Sequence, residues 1–285
     1  MKKRLDGIQL MSVPAALLYG TFFIIPLIQG IRLSFTDWDG MGKASFVGFS
    51  NYIEFFSDSR ALGDIKTTVL FALGSALFLN LVGLAYALLM KNKFKYQGLV
   101  RVVIYLPSII SPLIMGYIWY FLLQPGRGFI YRAAEVFNNP ISWNWMSKYS
   151  STIIMLVAVN VWQYAGMTMI IYLAGLQSIA KEMYESAHID GATRSQIFKK
   201  ITIPLLVPSI RINVVTNIIG SLSVFDIIMS LTEGGPGYST ESLSIYIMRM
   251  CYGNKTGYST AVAMILFLLI LIPVLFSFKF TKSRS

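Results

Sequence analysis

The sequence predicts an all-α membrane protein with six transmembrane helices, and three observations lead there. Of its 285 residues 55% are hydrophobic and only 13% charged, about half the charged share (~25%) of an ordinary soluble domain. Six runs, at about 11–31, 67–90, 102–123, 151–176, 205–231 and 259–278, are apolar and almost free of charge. Each has the roughly 18 or more residues that a helix needs to cross a ~30 Å hydrocarbon core. The basic residues, finally, gather in alternate connections, as they do in the cytoplasmic loops of membrane proteins.

The first run follows Met1-Lys2-Lys3-Arg4 and so imitates a secretion signal. It is long, however, and no small-x-small cleavage site closes it before Arg32, so it reads as a retained first helix. The connection 32–63 carries Phe46-Val47-Gly48-Phe49-Ser50-Asn51-Tyr52 and then Ile53-Glu54-Phe55-Phe56. Its aromatic content suits an amphipathic segment at the membrane interface or against a partner. The second run needs no further explanation than its apolar length. The third contains Pro107 and Pro112, each of which removes a backbone donor and kinks the span. Such breaks line pathways, although proline is also simply commoner in membrane helices than in soluble ones.

Polar groups inside a span are expensive in lipid and usually face the bundle interior. The fourth run offers Asn160, Gln163, Tyr164 and Met167 at i, i+3, i+4 and i+7, and the fifth offers Asn213, Asn217, Gly220, Ser221 and Val224. Either face presents amides and hydroxyls to a polar solute, with Trp162, Tyr172 or Phe225 as stacking surfaces, or serves as hydrogen-bonding glue between helices. Asn160, Gln163, Tyr164, Asn217 and Ser221 are the candidate pathway residues. Arg101, Arg211 and Asp226 fall near predicted span ends, where long side chains can snorkel. With the span centres uncharged, the chemistry favours a neutral, polyhydroxylated solute over a phosphate ester or an ion.

With the N-terminus inside, the cytoplasmic positions are Lys2, Lys3, Arg4, Lys91, Lys93, Lys95, Arg101, Lys181, Arg194, Lys199, Lys200, Arg211, Lys279, Lys282 and Arg284. Outside remain Arg32, Lys43, Arg60, Lys66, Arg127, Arg132, Lys148, Arg249 and Lys255. The excess predicts that both termini are cytoplasmic. The net charge of +11 is dispersed over short loops, without the basic stripe that a nucleic-acid partner would require. No repeat divides residues 1–285, which read as a single transmembrane domain in contact with membrane lipid.

Between the fourth and fifth runs, residues 177–204 hold Glu185-Ser186-Ala187-His188-Ile189-Asp190-Gly191 and, nine residues on, Ile201-Thr202-Ile203-Pro204. Gly191 suits a chain reversal. Tyr184, Ala187, Ile197, Ile201 and Ile203 supply the apolar face of two short helices, with Pro204 stopping the second and opening the fifth span. This E-S-A-x₃-G-x₉-I-x-I-P pattern resembles the cytoplasmic EAA loop of ABC importer permeases, with Ser186 where the family has an Ala. Thr232-Glu233-Gly234-Gly235-Pro236-Gly237, followed by Thr240, Leu243 and Tyr246, resembles the T-x-G-G-P…T…L…Y segment of carbohydrate-importer permeases. The Phe46–Tyr52 stretch resembles the F-V-G-x-x-N-Y of the same maltose-transporter-like family. The likeness runs from about residue 10 to residue 280.

The resemblance implies the type I importer permease fold, with a cytoplasmic coupling helix between helices four and five. It implies ATPase docking through Glu185, Ser186, Ala187, Asp190, Gly191, Ile201 and Pro204, binding-protein contact at Gly234, Gly235, Pro236 and Gly237, and substrate contact at Asn217 and Ser221. The implied partners are a second homologous permease, an ATPase dimer that binds the ATP and Mg, an extracytoplasmic sugar-binding protein and a carbohydrate. The implied location is the bacterial cytoplasmic membrane, and the alternative solute is a sugar-like molecule or a phosphorylated polyol. A secondary transporter would need an ionisable group at the midplane and often shows paired repeats, neither of which the sequence offers.

Other chemistry is excluded. No G-x₄-G-K-[ST] is present to cradle a nucleotide phosphate. Ser178-Ile179-Ala180-Lys181 and Lys255-Thr256-Gly257 imitate two penicillin-binding motifs, but S-D-N is missing and the predicted topology separates the pair. His188 is the sole histidine, which removes a multi-histidine metal site, and Cys251 is the sole cysteine, which removes an internal disulfide. No catalytic or metal-binding residue is expected.

Overall fold

The computed structural model describes residues 7–92 and 94–279. Lys2, Lys3, Arg4, Lys93, Lys282 and Arg284 of the charge argument lie outside them. Among the described residues regular structure is helical, apart from an isolated bridge between Thr36 and Phe46. The chain forms α1 (Gly7–Tyr19), α2 (Ile25–Leu33), α3 (Ser50–Ser57), α4 (Ser59–Leu89), α5 (Gln97–Tyr105), α6 (Pro112–Leu123) and α7 (Phe129–Val136). There follow α8 (Tyr149–Gln177), α9 (Lys181–Ile189), α10 (Arg194–Ile197), α11 (Ile203–Leu222), α12 (Asp226–Leu231), α13 (Leu243–Tyr252) and α14 (Thr256–Lys279). Among the described residues, five continuous helical stretches are long and apolar enough to cross a membrane: Ser12–Leu33, Ser59–Leu89, Tyr149–Gln177, Arg194–Leu222 and Thr256–Ser277. The bent pair Gln97–Ile109 and Pro112–Leu123 supplies a sixth if counted as one span.

Pro26 and Pro204 are carried within continuous spans by the same device. A π turn at Gly20–Ile24 precedes Ile25-Pro26, and a second at Phe198–Thr202 precedes Ile203-Pro204. A proline in a regular helix loses the bond to residue i−4 and pushes its ring into that carbonyl. The wider turn, closed by Ile25 N–H on the Gly20 carbonyl and Ile203 N–H on that of Phe198, moves the conflicting carbonyl aside. Pro204 therefore does not stop one helix and open another, as the sequence suggested: Arg194–Leu222 is continuous.

Span limits shift for local reasons. The second span starts at Ser59 instead of residue 67, because Asp58 Oδ1 accepts the Arg60 N–H at 2.8 Å and caps the helix. The third is sharply broken, by 99°, where a 3₁₀ turn at Leu106–Ile109 gives way to extended Ile110 and Pro112 opens α6. The predicted fifth span, 205–231, is two helices, since α11 ends at Leu222 and Phe225 leaves helical geometry (φ −136°, ψ −63°). α12 then packs on α6, with Gly116 directly against Ser230, where any Cβ would strike the serine hydroxyl.

The chain forms two compact units. The first comprises the described residues up to Leu62 with Tyr246–Leu268, and the second the described residues of Gly63–Ile245 and those from Leu269 on. The second holds two apolar clusters, one around Phe71, Leu156, Ile228 and Leu231, the other around Met169, Tyr172, Leu176 and Leu206. Between the faces of α8 and α11 in this unit lies the polar site.

Candidate functional site: a polar cavity and a helical loop

Along α8, Asn160, Tyr164, Met167, Thr168 and Ile171 recur at i, i+4, i+7, i+8 and i+11; along α11, Asn213, Thr216, Asn217, Gly220 and Ser221 recur at i, i+3, i+4, i+7 and i+8, and Val224 follows just past its end. Each set is one helical stripe, and the two stripes line a cavity of about 310 Å³ with Phe225, Asp226 and apolar Leu79, Pro112 and Ile227. Asn160, Tyr164, Asn217 and Ser221, four of the candidate pathway residues, thus meet at one cavity. Thr168 was missed in the sequence although it sits eight residues after Asn160, on the same stripe.

Gln163 does not join them. It is fully buried and donates its side-chain amide to the Ile110 carbonyl at 3.1 Å, an acceptor that the break in the third span frees. A position one residue off the stripe turns the side chain to the neighbouring helix, so Gln163 is a joint of the broken span.

Asp226 corrects a second expectation. The sequence put it at the end of a span, free to snorkel, but it opens α12 and lines the cavity. Among the described lining residues there is no Lys, Arg or His, and Asp226 is the single carboxylate.

The loop after α8 is built from standard helix-end chemistry. α9 closes with Gly191 at φ +74°, the Gly191 N–H on the His188 carbonyl at 3.1 Å and the Ala192 N–H on the Ala187 carbonyl at 2.9 Å. This pair of bonds is a Schellman cap, which needs a left-handed residue and so favours glycine. α10 opens with a reciprocal box: Thr193 Oγ1 accepts the Gln196 N–H at 3.3 Å and Gln196 Oε1 accepts the Thr193 N–H at 2.7 Å. Glu185, Ser186, Asp190, Gly191 and Pro204 are exposed, Ala187 is buried and Ile201 half-buried. Tyr184, half-buried, takes the Lys91 ammonium over its ring at 3.8 Å and sets its hydroxyl 3.4 Å from Thr202 Oγ1. Thr202 lies within the π turn, so one side chain ties α9 to the end of α4 and the root of α11.

The Gly-rich turn is held from within. Thr240 Oγ1 donates to the Gly235 carbonyl at 2.6 Å, the Thr240 N–H to that of Gly234 at 3.0 Å, and the Gly235 N–H to that of Thr232 at 2.8 Å. Gly234 is buried and Gly235 half-buried; only Pro236 and Gly237 of the four are exposed. In the first unit, the Tyr246 hydroxyl donates to Asp58 Oδ2 and lies 3.0 Å from the Tyr258 hydroxyl. Burial raises the Asp58 carboxyl pKa, but the bonds from Tyr246 and from the Arg60 and Ala61 N–H groups outweigh it and hold the group below its ordinary value. Burial and these partners push the Tyr246 phenol far up.

A polar cavity between long apolar helices, with a capped helical loop at the root of one of them, defines the membrane-embedded subunit of a transporter. The chain belongs to the family described as binding-protein-dependent transport system inner membrane component, whose pattern matches residues 79–282. It is 32% identical to the probable starch degradation products transport system permease protein AmyD of Thermoanaerobacterium thermosulfurigenes, over 92% of this chain and 89% of that one. It is 30% identical to the sn-glycerol-3-phosphate transport system permease protein UgpA of Agrobacterium fabrum, over 96% and 94%. A crystal structure of a bacterial ABC transporter involved in import of the acidic polysaccharide alginate superposes with a TM-score of 0.84 at 27% identity, covering 99% of this chain and 97% of that one. A second, in complex with an alginate pentasaccharide-bound periplasmic protein, gives 0.83 at 27% identity over 96% and 93%. The fold is that of an ABC importer permease, as the sequence motifs implied.

Proposed function

We propose that the whole chain is one permease domain of an ATP-driven importer that passes a neutral sugar or oligosaccharide, without catalysing a reaction itself. The carrying observation is the cavity: amides of Asn160 and Asn217 and hydroxyls of Tyr164, Thr168, Thr216, Ser221 and Ser223, beside the Phe225 ring. Hydroxyl-rich solutes exchange hydrogen bonds with such groups and stack on aromatic rings. Asn160, Tyr164, Asn217 and Ser221 would contact the solute; Gln163 is left out because its amide is engaged elsewhere.

A phosphorylated polyol, the solute in the name of the Agrobacterium relative, is disfavoured. Phosphate binding draws on Arg, Lys or clustered N–H donors, and the described lining offers a carboxylate, Asp226, and no cation.

The exposed Glu185, Ser186, Asp190 and Gly191 of the loop, with Ala187, Ile201 and Pro204 at its base, would dock on an ATPase dimer that binds ATP and Mg. A second permease would complete the pathway, and a sugar-loaded extracytoplasmic protein would press on the Gly234–Gly237 turn. Both termini would be cytoplasmic in a bacterial membrane, and ATP-driven movement of the loop would act as a lever on α8 and α11.

Reconstitution of the assembled complex in liposomes tests this reading. ATP hydrolysis should rise with binding protein plus a neutral oligosaccharide, and the sugar should accumulate. Accumulation driven by an ion gradient without ATP would overturn it in favour of a secondary transporter.

A further inference from the structure

We propose that α3 is an interfacial anchor whose Phe49, Ile53 and Phe56 side chains lie in the lipid headgroup layer at the Leu33 end of the first span. At about 100° per residue, Phe49 and the helix it leads into divide into three sectors. Phe49, Ile53 and Phe56 recur at i, i+4 and i+7 and are 68%, 66% and 61% exposed; Phe46, just before them, is 80% exposed. Asn51, Tyr52 and Phe55 form the sector that faces the rest of the first unit. Ser50, Glu54 and Ser57 form the third sector, polar and exposed.

The inward sector fixes the depth of the helix. Asn51 Nδ2 donates to the carbonyls of Ser34 and Thr36 at 2.8 and 2.9 Å, and the Tyr52 hydroxyl donates to Ser34 Oγ at 2.8 Å. Ser34 directly follows Leu33, the last residue of the Ser12–Leu33 span, so α3 is tied to the level at which that span leaves the hydrocarbon. The span's own apolar window has no buried residue, which is the state of a lipid-facing helix.

The polar sector matches the place of the helix at a membrane boundary. A helix lying in the boundary plane needs one side in the acyl-headgroup layer and another in water, with aromatic rings favoured at that depth. Glu54, 2.8 Å from Lys255 with both side chains about half exposed, keeps its charge on the water side, about 100° round from Ile53. A protein docked on the apolar sector would leave the same polar sector in water; what selects lipid is the tie of α3 to Ser34 and Thr36, at the end of a span with no buried residue in its apolar window. The inference is independent of what solute is carried.

The test uses the assembled transporter in phosphatidylcholine–phosphatidylglycerol liposomes, with Cys251→Ser and one nitroxide at Phe49→Cys, Ile53→Cys, Phe56→Cys or Glu54→Cys. At 49, 53 and 56 collisions with oxygen should exceed those with a water-soluble nickel chelate severalfold, and at 54 the order should reverse. Equal access of the chelate to 53 and 54 would mean that the face lies in water. Exclusion of both reagents from 49, 53 and 56 would mean that a protein covers it. Either result overturns the proposal.

Discussion

Asn213 donates its side-chain amide to the main-chain carbonyl of Thr168 at 3.2 Å, a bond sealed from solvent. One turn on, Asn217 meets the hydroxyl of the same threonine at 3.4 Å but keeps part of its surface toward the cavity. The two amides therefore separate packing from contact. Asn217→Ala should lose roughly 1–3 kcal/mol of interaction with the sugar, seen as a raised half-saturation for uptake with an unchanged melting temperature. Asn213→Ala should instead lower the melting temperature of the complex with and without sugar, by the ~0.6–2 kcal/mol of an interhelical bond. Equal loss of stability in both variants would assign the whole pair to helix packing.

Gly191→Pro should uncouple the subunit from its ATPase. Proline fixes φ near −65° (about ±15°), whereas the native value is +74°, and it deletes the N–H on the His188 carbonyl. The Schellman cap is lost, and with it the presentation of Glu185 and Ser186. Pull-down of the ATPase by the purified variant should fall while the binding protein still binds sugar. Wild-type transport by this variant would refute the docking role of the loop.

Tyr184→Ala should break the tie between loop and span while leaving the docking surface in place. The ring holds Lys91 and its hydroxyl reaches Thr202 within the π turn. The ATPase should co-purify as in the wild type, but sugar transported per ATP hydrolysed should drop severalfold. Tyr184→Phe keeps the cation–π contact, worth about 0.5–1 kcal/mol at an exposed site, and should recover most of the ratio. An unchanged ratio in Tyr184→Ala would remove the residue from the transmission path.

Much of this was legible in the sequence because chemistry and spacing coincide there. The spans follow from hydropathy, the α8 and α11 stripes from residues at i, i+4 and i+8, and the loop from Gly191 at a helix end. Thr168 escaped because an isolated threonine in a span also bonds its own helix backbone; only the Asn160 register marks it. Gln163 misled because one residue off a stripe is a rotation of 100°, which sequence spacing of i+3 tolerates. The break at Ser223–Phe225 was invisible because both sides of it are apolar, and α12 turns aside to fit Ser230 against Gly116. Pro204 looked like a terminus because a π turn leaves no compositional mark.

A Cys at Tyr238, in a background of Cys251→Ser because Cys251 is exposed, should report the side on which the Gly-rich turn lies. Tyr238 is 51% exposed and follows Gly237 directly. Labelling by a membrane-impermeant maleimide in spheroplasts is expected. Labelling only after the membrane is opened would invert the topology and move the docking loop to the opposite side.

The Asp58–Tyr246 bond predicts an acid limit for the first unit. The folded carboxyl titrates below its ordinary value, so its contribution to stability is fully present above the unfolded pKa of about 3.9 and is lost as pH falls through the depressed folded value. Asp58→Asn keeps the shape and removes the charge that accepts from Tyr246 and from the Arg60 and Ala61 N–H groups. At pH 7 it should melt below the wild type, by an amount small enough to reflect a half-exposed group. The gap should persist down to about pH 4 and close below it, because there the wild-type carboxyl is itself being neutralised. Tyr246→Phe should narrow the same gap from the other partner, and the double variant should cost less than the sum of the two single changes, since both report one bond. A gap between wild type and Asp58→Asn that stays constant through pH 3 would mean that Asp58 contributes through its shape and helix cap alone, and that its charge contributes nothing.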